Sequence, residues 1–160
     1  MRALSLSACL LLWAAALHGQ AGYNTYDTSK THDTSKLTWG AAPPAFPAGA
    51  KMAVVKGDPG KAEMFTVALS FPDGYKIPPH FHPTDEAVTV KEGTFLVGMG
   101  DTLDVSKTNA MKAGDSGKVP AEHHHYAVAR GETTVQVTAM GPFAMTYVNP
   151  ADDPRKTANQ

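Results

Sequence analysis

The chain has 160 residues, with 14 Lys and Arg set against 15 Asp and Glu, a net charge of −1 when the histidines are neutral. That is room for one ordinary domain, and near-neutrality argues against a protein held to nucleic acid or an anionic membrane by bulk charge. The single cysteine, Cys9, excludes an internal disulfide and any multi-cysteine zinc site. Charged residues at 18%, with Gly 14 and Pro 12, suit a turn-rich β domain better than a helical bundle.

In chain order, Arg2 is followed by an uncharged run from Ala3 to Leu17, and the next charge is Asp27. A positive end, a short apolar stretch and small residues at Gly19 and Ala21 predict a signal peptide over residues 1–21, cleaved after Ala21. The run is short for a membrane span and lacks a positive flank after it. The expected destination is therefore export, periplasmic or extracellular, without a stable membrane anchor. Two alternatives exist. Leu6-Ser7-Ala8-Cys9 resembles a lipoprotein acylation box, although most of the apolar run lies beyond that cysteine; the run could also be a buried N-terminal helix.

Residues 22–38 read as a flexible polar linker in which Asp-Thr-Ser-Lys occurs twice, at Asp27–Lys30 and Asp33–Lys36, with His32 solvated between. From Trp39 to Ala50, the residues Pro43, Pro44, Phe46 and Pro47 predict an extended arm across the domain. Residues 39–150 make up that domain. Apolar and polar residues alternate over Phe65–Phe71, Glu86–Lys91, Thr134–Thr138 and Phe143–Val148, as in half-buried strands. Turn signals separate them, among them Pro72-Asp73-Gly74, Glu92-Gly93, Ala113-Gly114-Asp115 and Arg130-Gly131-Glu132. The expected fold class is all-β, an antiparallel sandwich or barrel, followed by a polar tail over 151–160 that frays.

Five of the 7 histidines fall at His80, His82, His123, His124 and His125. On a strand, residues i and i+2 face one side, so His80 and His82 can converge on a point. Glu86 shares parity with Val88 and Val90; if those valines face the core, so does the carboxylate, which then needs a cation or a strong hydrogen-bond partner. Two imidazoles and a carboxylate in an apolar box make a transition-metal site with open positions. By parity His123 and His125 share a face and His124 points to the other, so the second cluster supplies a further ligand: spacing points to His125, with His123 and His124 as alternatives. Asp85, of opposite parity, reads as solvated. Met64, Met99, Met111, Met140 and Met145 read as core or pocket lining, and Tyr75, Tyr126 and Tyr147 as core or rim residues.

The spacing Gly74-x5-His80-x-His82-x3-Glu86-x6-Gly93 matches the first motif of the cupin superfamily at every specified position. Its second motif is matched by Gly114, Pro120 and His125, while Glu122 stands where the family has glycine and Ala129 where it has asparagine. Over about residues 50–149 the chain thus resembles small exported bacterial cupins. The resemblance implies a single-domain antiparallel jelly-roll β-barrel holding one divalent transition metal (Fe, Mn, Ni, Cu or Zn) on residues His80, His82, Glu86 and His125. It implies either a metal-dependent enzyme acting on a small molecule (dioxygenase, isomerase, decarboxylase or lyase) or a non-catalytic cupin that binds a metal or small ligand as a sensor or store. In the first case Glu86 doubles as a catalytic proton acceptor if its bond to the metal is labile. The expected partner is a small-molecule ligand or substrate, not nucleic acid, with a homodimer left open.

Overall fold

The structure is a computed structural model that describes residues 34–157. The signal peptide, Cys9, His32, most of the linker and the last residues of the tail lie outside the described residues. Among the described residues nine strands form one curled antiparallel sheet: β1 (Gly40–Ala41), β2 (Lys51–Lys56), β3 (Met64–Phe71), β4 (Lys76–Phe81), β5 (Glu86–Met99), β6 (Asn109–Lys112), β7 (Ser116–Val119), β8 (His125–Met140) and β9 (Thr146–Tyr147). Short 3-10 turns occur at Thr34–Lys36, Val105–Lys107 and Pro150–Asp152. Among the described residues no helix is long and apolar enough to cross a membrane.

Two long strands carry the architecture. β8, of 16 residues, pairs along one edge with β3 and β4, and along the other with the 14-residue β5. The free edge of β5 is covered by β7 near Glu86 and by β6 near Phe95. The turns expected at Glu92-Gly93 and at Arg130-Gly131-Glu132 are in fact corners within these continuous strands. The register shifts twice between Val90 and Thr94, and Gly93 and Gly131 take φ of 75° and 73°. At Gly93 a Cβ would run into the Glu132 carbonyl and Thr133, so glycine lets the two strands bend together there. The local turn chemistry is present at both corners, but pairing across the bend keeps both strands intact.

Phe65, Val67, Leu69 and Phe71 of β3 point inward with Val88 and Val90 of β5 and Val135 and Val137 of β8, all at most 5% exposed. Each such side chain contributes about 1.5–3 kcal/mol by leaving water. The arm lies across this core as expected. Phe46 is buried and stacks on Phe143, while the Tyr75 and Tyr147 hydroxyls donate to the carbonyls of Pro47 (2.5 Å) and Ala45 (2.7 Å). These tyrosines, with Tyr126, are core residues. The strand expected over Phe143–Val148 shrinks to β9, and the Phe143 N–H bonds to the Pro59 carbonyl of a loop at 2.7 Å. The expected frayed tail instead begins as a helical turn, α1 (Pro154–Thr157), with Arg155 paired to Asp153 and donating to the Met145 carbonyl at 3.1 Å. Met111 and Met145 line the interior, but Met64, Met99 and Met140 are exposed; they alternate onto the outer face or end a strand, where period-two parity overrides hydrophobicity.

Candidate metal centre

Pro78 and Pro79 lie in β4, and the register against β8 shifts between Ile77 and His80. The break fits residues that lack a ladder donor. Beyond it His80 pairs directly with His125 of β8, and their rings lie 4.2 Å apart. His82, two residues on, turns its ring to the same side, 5.1 Å from His80 and 5.3 Å from His125. The chain then turns into β5, whose first residue, Glu86, faces inward in line with Val88. His80, His82, Glu86 and His125 are 3%, 4%, 7% and 3% exposed.

The turn before Glu86 is clamped. The Asp85 carboxylate accepts from the Ala121 N–H at 2.9 Å and pairs with Lys118 at 2.6 Å; Lys118 and the Ala121 amide hold its pKa below the usual carboxylate value. Asp85 is therefore not simply solvated, as its parity suggested: it ties the β4–β5 turn to the segment that leads into β8. Glu122, where a cupin motif has glycine, adopts φ of 62°, the left-handed conformation that glycine would supply. The glycine-like turn survives the substitution, and the Glu122 N–H reaches the His82 carbonyl at 2.8 Å. The two motifs are thus joined through backbone at the site itself.

Hydrogen bonding fixes the three inward rings. The Nδ1–H of His80 donates to the Pro78 carbonyl (2.7 Å), that of His82 to Ala144 (2.7 Å) and that of His125 to His123 (2.9 Å). With Nδ1 occupied as donor, each ring turns its Nε2 to the centre, the arrangement in which an outer partner orients a metal-ligating imidazole. The three ligand atoms lie within 4.8 Å of one another. The Glu86 Oε2 is 3.4 Å from the His125 Nε2 and 3.8 Å from the His82 Nε2. The His82 Nε2 is buried with no hydrogen-bond partner, a costly situation that a cation at the centre relieves. The residues present fit a divalent metal. The other two histidines lie apart from this cluster. His123 is exposed, and His124 contacts Asp101 at 2.6 Å and stacks on Phe81.

Electrostatics agree with the geometry. Burial, followed by the neighbouring His125 and His82, pushes His80 down to about 3, so its ring is neutral and free to donate a lone pair. Burial raises the Glu86 carboxyl, but the surrounding imidazoles outweigh it and bring the group to about 2. Burial opposes a proton on His125, yet the hydrogen bond and charge of Glu86 hold its pKa above the ordinary 6.5. A buried anion with imidazoles around it is a ready cation site.

Next to the cluster lies an interior cavity of about 70 Å³, with His80, Glu86 and His125 at its polar end and Leu69, Val88 and Val135 among its apolar walls. The carbonyl acceptors behind the rings were invisible to sequence reasoning. Two of them, Pro78 and His123, sit two residues before the histidine they orient. The third, Ala144, is 62 residues away along the chain and carries no side-chain signal. Phe143, which stacks on His82 at 5.3 Å, was likewise read only as a strand residue.

Comparison with curated proteins finds none that matches the sequence. Among solved structures, the polyketide cyclase RemF from Streptomyces resistomycificus is similar with a TM-score of 0.59 and 18% identity, over 82% of this chain and 93% of that one. A Methylibium petroleiphilum protein, provisionally described as an acetylacetone dioxygenase, gives 0.58 and 16% over 83% and 90%. A cupin sugar phosphate isomerase from Silicibacter pomeroyi gives 0.57 and 18% over 74% and 82%. At these identities the likeness speaks for the fold. The family model for the cupin domain matches residues 67–141, the stretch from β3 to the end of β8 that carries the three histidines and Glu86. With curled sheet, buried histidine cluster and family match in agreement, the chain carries a cupin domain over residues 67–141.

Proposed function

We propose that the protein is a metal-dependent cupin enzyme that acts on a small molecule, with His80, His82, His125 and Glu86 as ligands of one divalent transition ion. The observation that carries this reading is the set of Nε2 atoms freed by backbone-held Nδ1–H groups and aimed at one point beside a cavity, with that of His82 buried and unpartnered. Bound there, such an ion supplies a Lewis-acid or redox centre with open coordination positions. The chain's own residues do the rest. Backbone carbonyls hold the rings in one tautomer, the apolar walls exclude water, and Glu86, kept anionic, accepts a proton from a molecule in the cavity when its bond to the ion opens. The cavity at the ligand end favours catalysis over storage, since storage needs no space beside the ion.

The N-terminal sequence supports export of this enzyme to the periplasm or outside the cell, which intact mass of protein from the exporting cell tests: a chain beginning at Gly22 agrees, and a retained Met1 or an acylated Cys9 does not. The test of function is metal analysis of tag-free protein from its native compartment, followed by O₂-consumption and product assays with small carbonyl compounds and diols. About one ion per chain and metal-dependent turnover are expected. Full turnover after the ion is stripped would contradict the reading.

A further inference from the structure

Among the residues lining the cavity there is no Lys, Arg, Ser, Thr, Asn, Gln or Tyr; apart from His80, Glu86 and His125 the walls are aliphatic, aromatic, Met or Gly. The walls are also almost entirely shut. All lining residues are buried except Val97, Met111 and Gly117, which bring β5, β6 and β7 together on one side of the barrel. A Cβ placed on Gly117 would lie 3.3 Å from the Met111 methyl carbon, so the absence of a side chain at Gly117 leaves room for Met111, an unbranched and adaptable side chain.

We propose that the cavity takes a small, neutral, mostly apolar molecule carrying one oxygen-donor group, a simple ketone or a relative of one, admitted between Val97, Met111 and Gly117 with its oxygen toward the histidine end. The inference rests on the functional reading above for what happens at that oxygen, but not for the binding itself. Size follows from the volume. An apolar cavity of 150 Å³ admits benzene, with its six non-hydrogen atoms, so about 70 Å³ suits a molecule of about three or four. Chemistry follows from the walls. Each hydroxyl buried against them without a partner weakens binding roughly tenfold or more, which disfavours polyols and sugars. A phosphate would meet the Glu86 carboxylate with no Lys or Arg among the lining residues to offset it.

The methionines report on this directly. Met111 and Met145 line the cavity, while Met64, Met99 and Met140 are exposed elsewhere. With methyl-13C-methionine protein, zinc-loaded and metal-free, we expect acetone to shift Met111 and Met145 saturably in both forms and to leave the exposed three unmoved. Ethane-1,2-diol, of the same size, and methyl phosphate should shift neither cavity methionine at tenfold higher concentration. Gly117→Leu should abolish the Met145 shift while the circular dichroism spectrum and zinc stoichiometry persist. If that variant does not fold, Met111→Ala decides, and should reach the same Met145 shift at several-fold lower ketone concentration. Ethane-1,2-diol or methyl phosphate shifting Met145 as readily as the ketone overturns the substrate class. A Met145 titration unchanged in both variants overturns the route. Ketone shifts that persist in a protein binding no zinc uphold this inference and refute the metal reading instead.

Discussion

Replacing His82 by alanine tests the site through stability. The wild-type chain at a free metal concentration of about 100 times Kd gains about 2.7 kcal/mol by mass action. In a domain of this size 1 kcal/mol moves Tm by about 4 °C, so saturating metal should raise it by about 10 °C. Metal-free His82→Ala carries its own cost. It removes a ring stacked 5.3 Å from Phe143 and strips the Ala144 carbonyl of the donor now at 2.7 Å, a loss of about 2–3 kcal/mol, offset in part by removal of the unpartnered Nε2. Absolute Tm is therefore uninformative, and the quantity to measure is the metal-induced increment, by calorimetry on chelator-treated protein with and without zinc. For His82→Ala it should fall below about 2 °C, since the loss of one of four ligands weakens binding to the point where mass action contributes little. His124→Ala, which removes a partner of Asp101 and a ring stacked on Phe81 but no ligand, should keep the full increment. An undiminished increment in His82→Ala would refute the reasoning, because the ion would then sit elsewhere.

Glu122→Gly should stabilise the metal-free protein by up to about 1 kcal/mol in urea unfolding, as relief of the left-handed strain at φ 62° exceeds the added chain entropy. Destabilisation would mean that the exposed Glu122 side chain has a role not seen here. Gly98→Ala should cost about 2–4 kcal/mol by the same assay. Its Cβ would strike the Tyr126 ring, which is 1% exposed and anchored by its hydroxyl to the Asp104 carbonyl at 2.9 Å; a neutral effect would contradict this packing. Metal affinity should rise with pH and level off above the His125 pKa, by about tenfold per unit below it, because the metal-free form holds a proton on His125 that the ion displaces. Competition with a chelator between about pH 5.5 and 7.5 checks this, and an affinity flat across that range would exclude His125 as ligand.

Legibility in the sequence followed interaction range. His80 and His82 could be paired by parity, and Glu86 turned inward by its parity with Val88 and Val90, because spacing along a strand is a local property. His125 needed a guess, since its approach to His80 depends on the register of β4 against β8, displaced at Pro78-Pro79. Asp85 was misjudged for the same reason: its partners Lys118 and Ala121 arrive from a distant segment. The corners at Gly93 and Gly131 were read as turns between strands because glycine chemistry is the same in a turn and in a bent strand, and only the continuous β5–β8 ladder tells them apart. Glu122 was a recognisable departure from the motif, but sequence could not say whether the turn would change or the residue would accept φ of 62°.

The most direct test of the central claim is X-ray absorption at the metal edge of zinc-loaded protein. The account predicts a shell of nitrogen and oxygen at about 2.0–2.2 Å, with outer-shell scattering of three imidazoles that drops to two in His125→Ala and stays at three in His123→Ala. A shell of oxygen alone, or one that loses an imidazole in His123→Ala but not in His125→Ala, would contradict it.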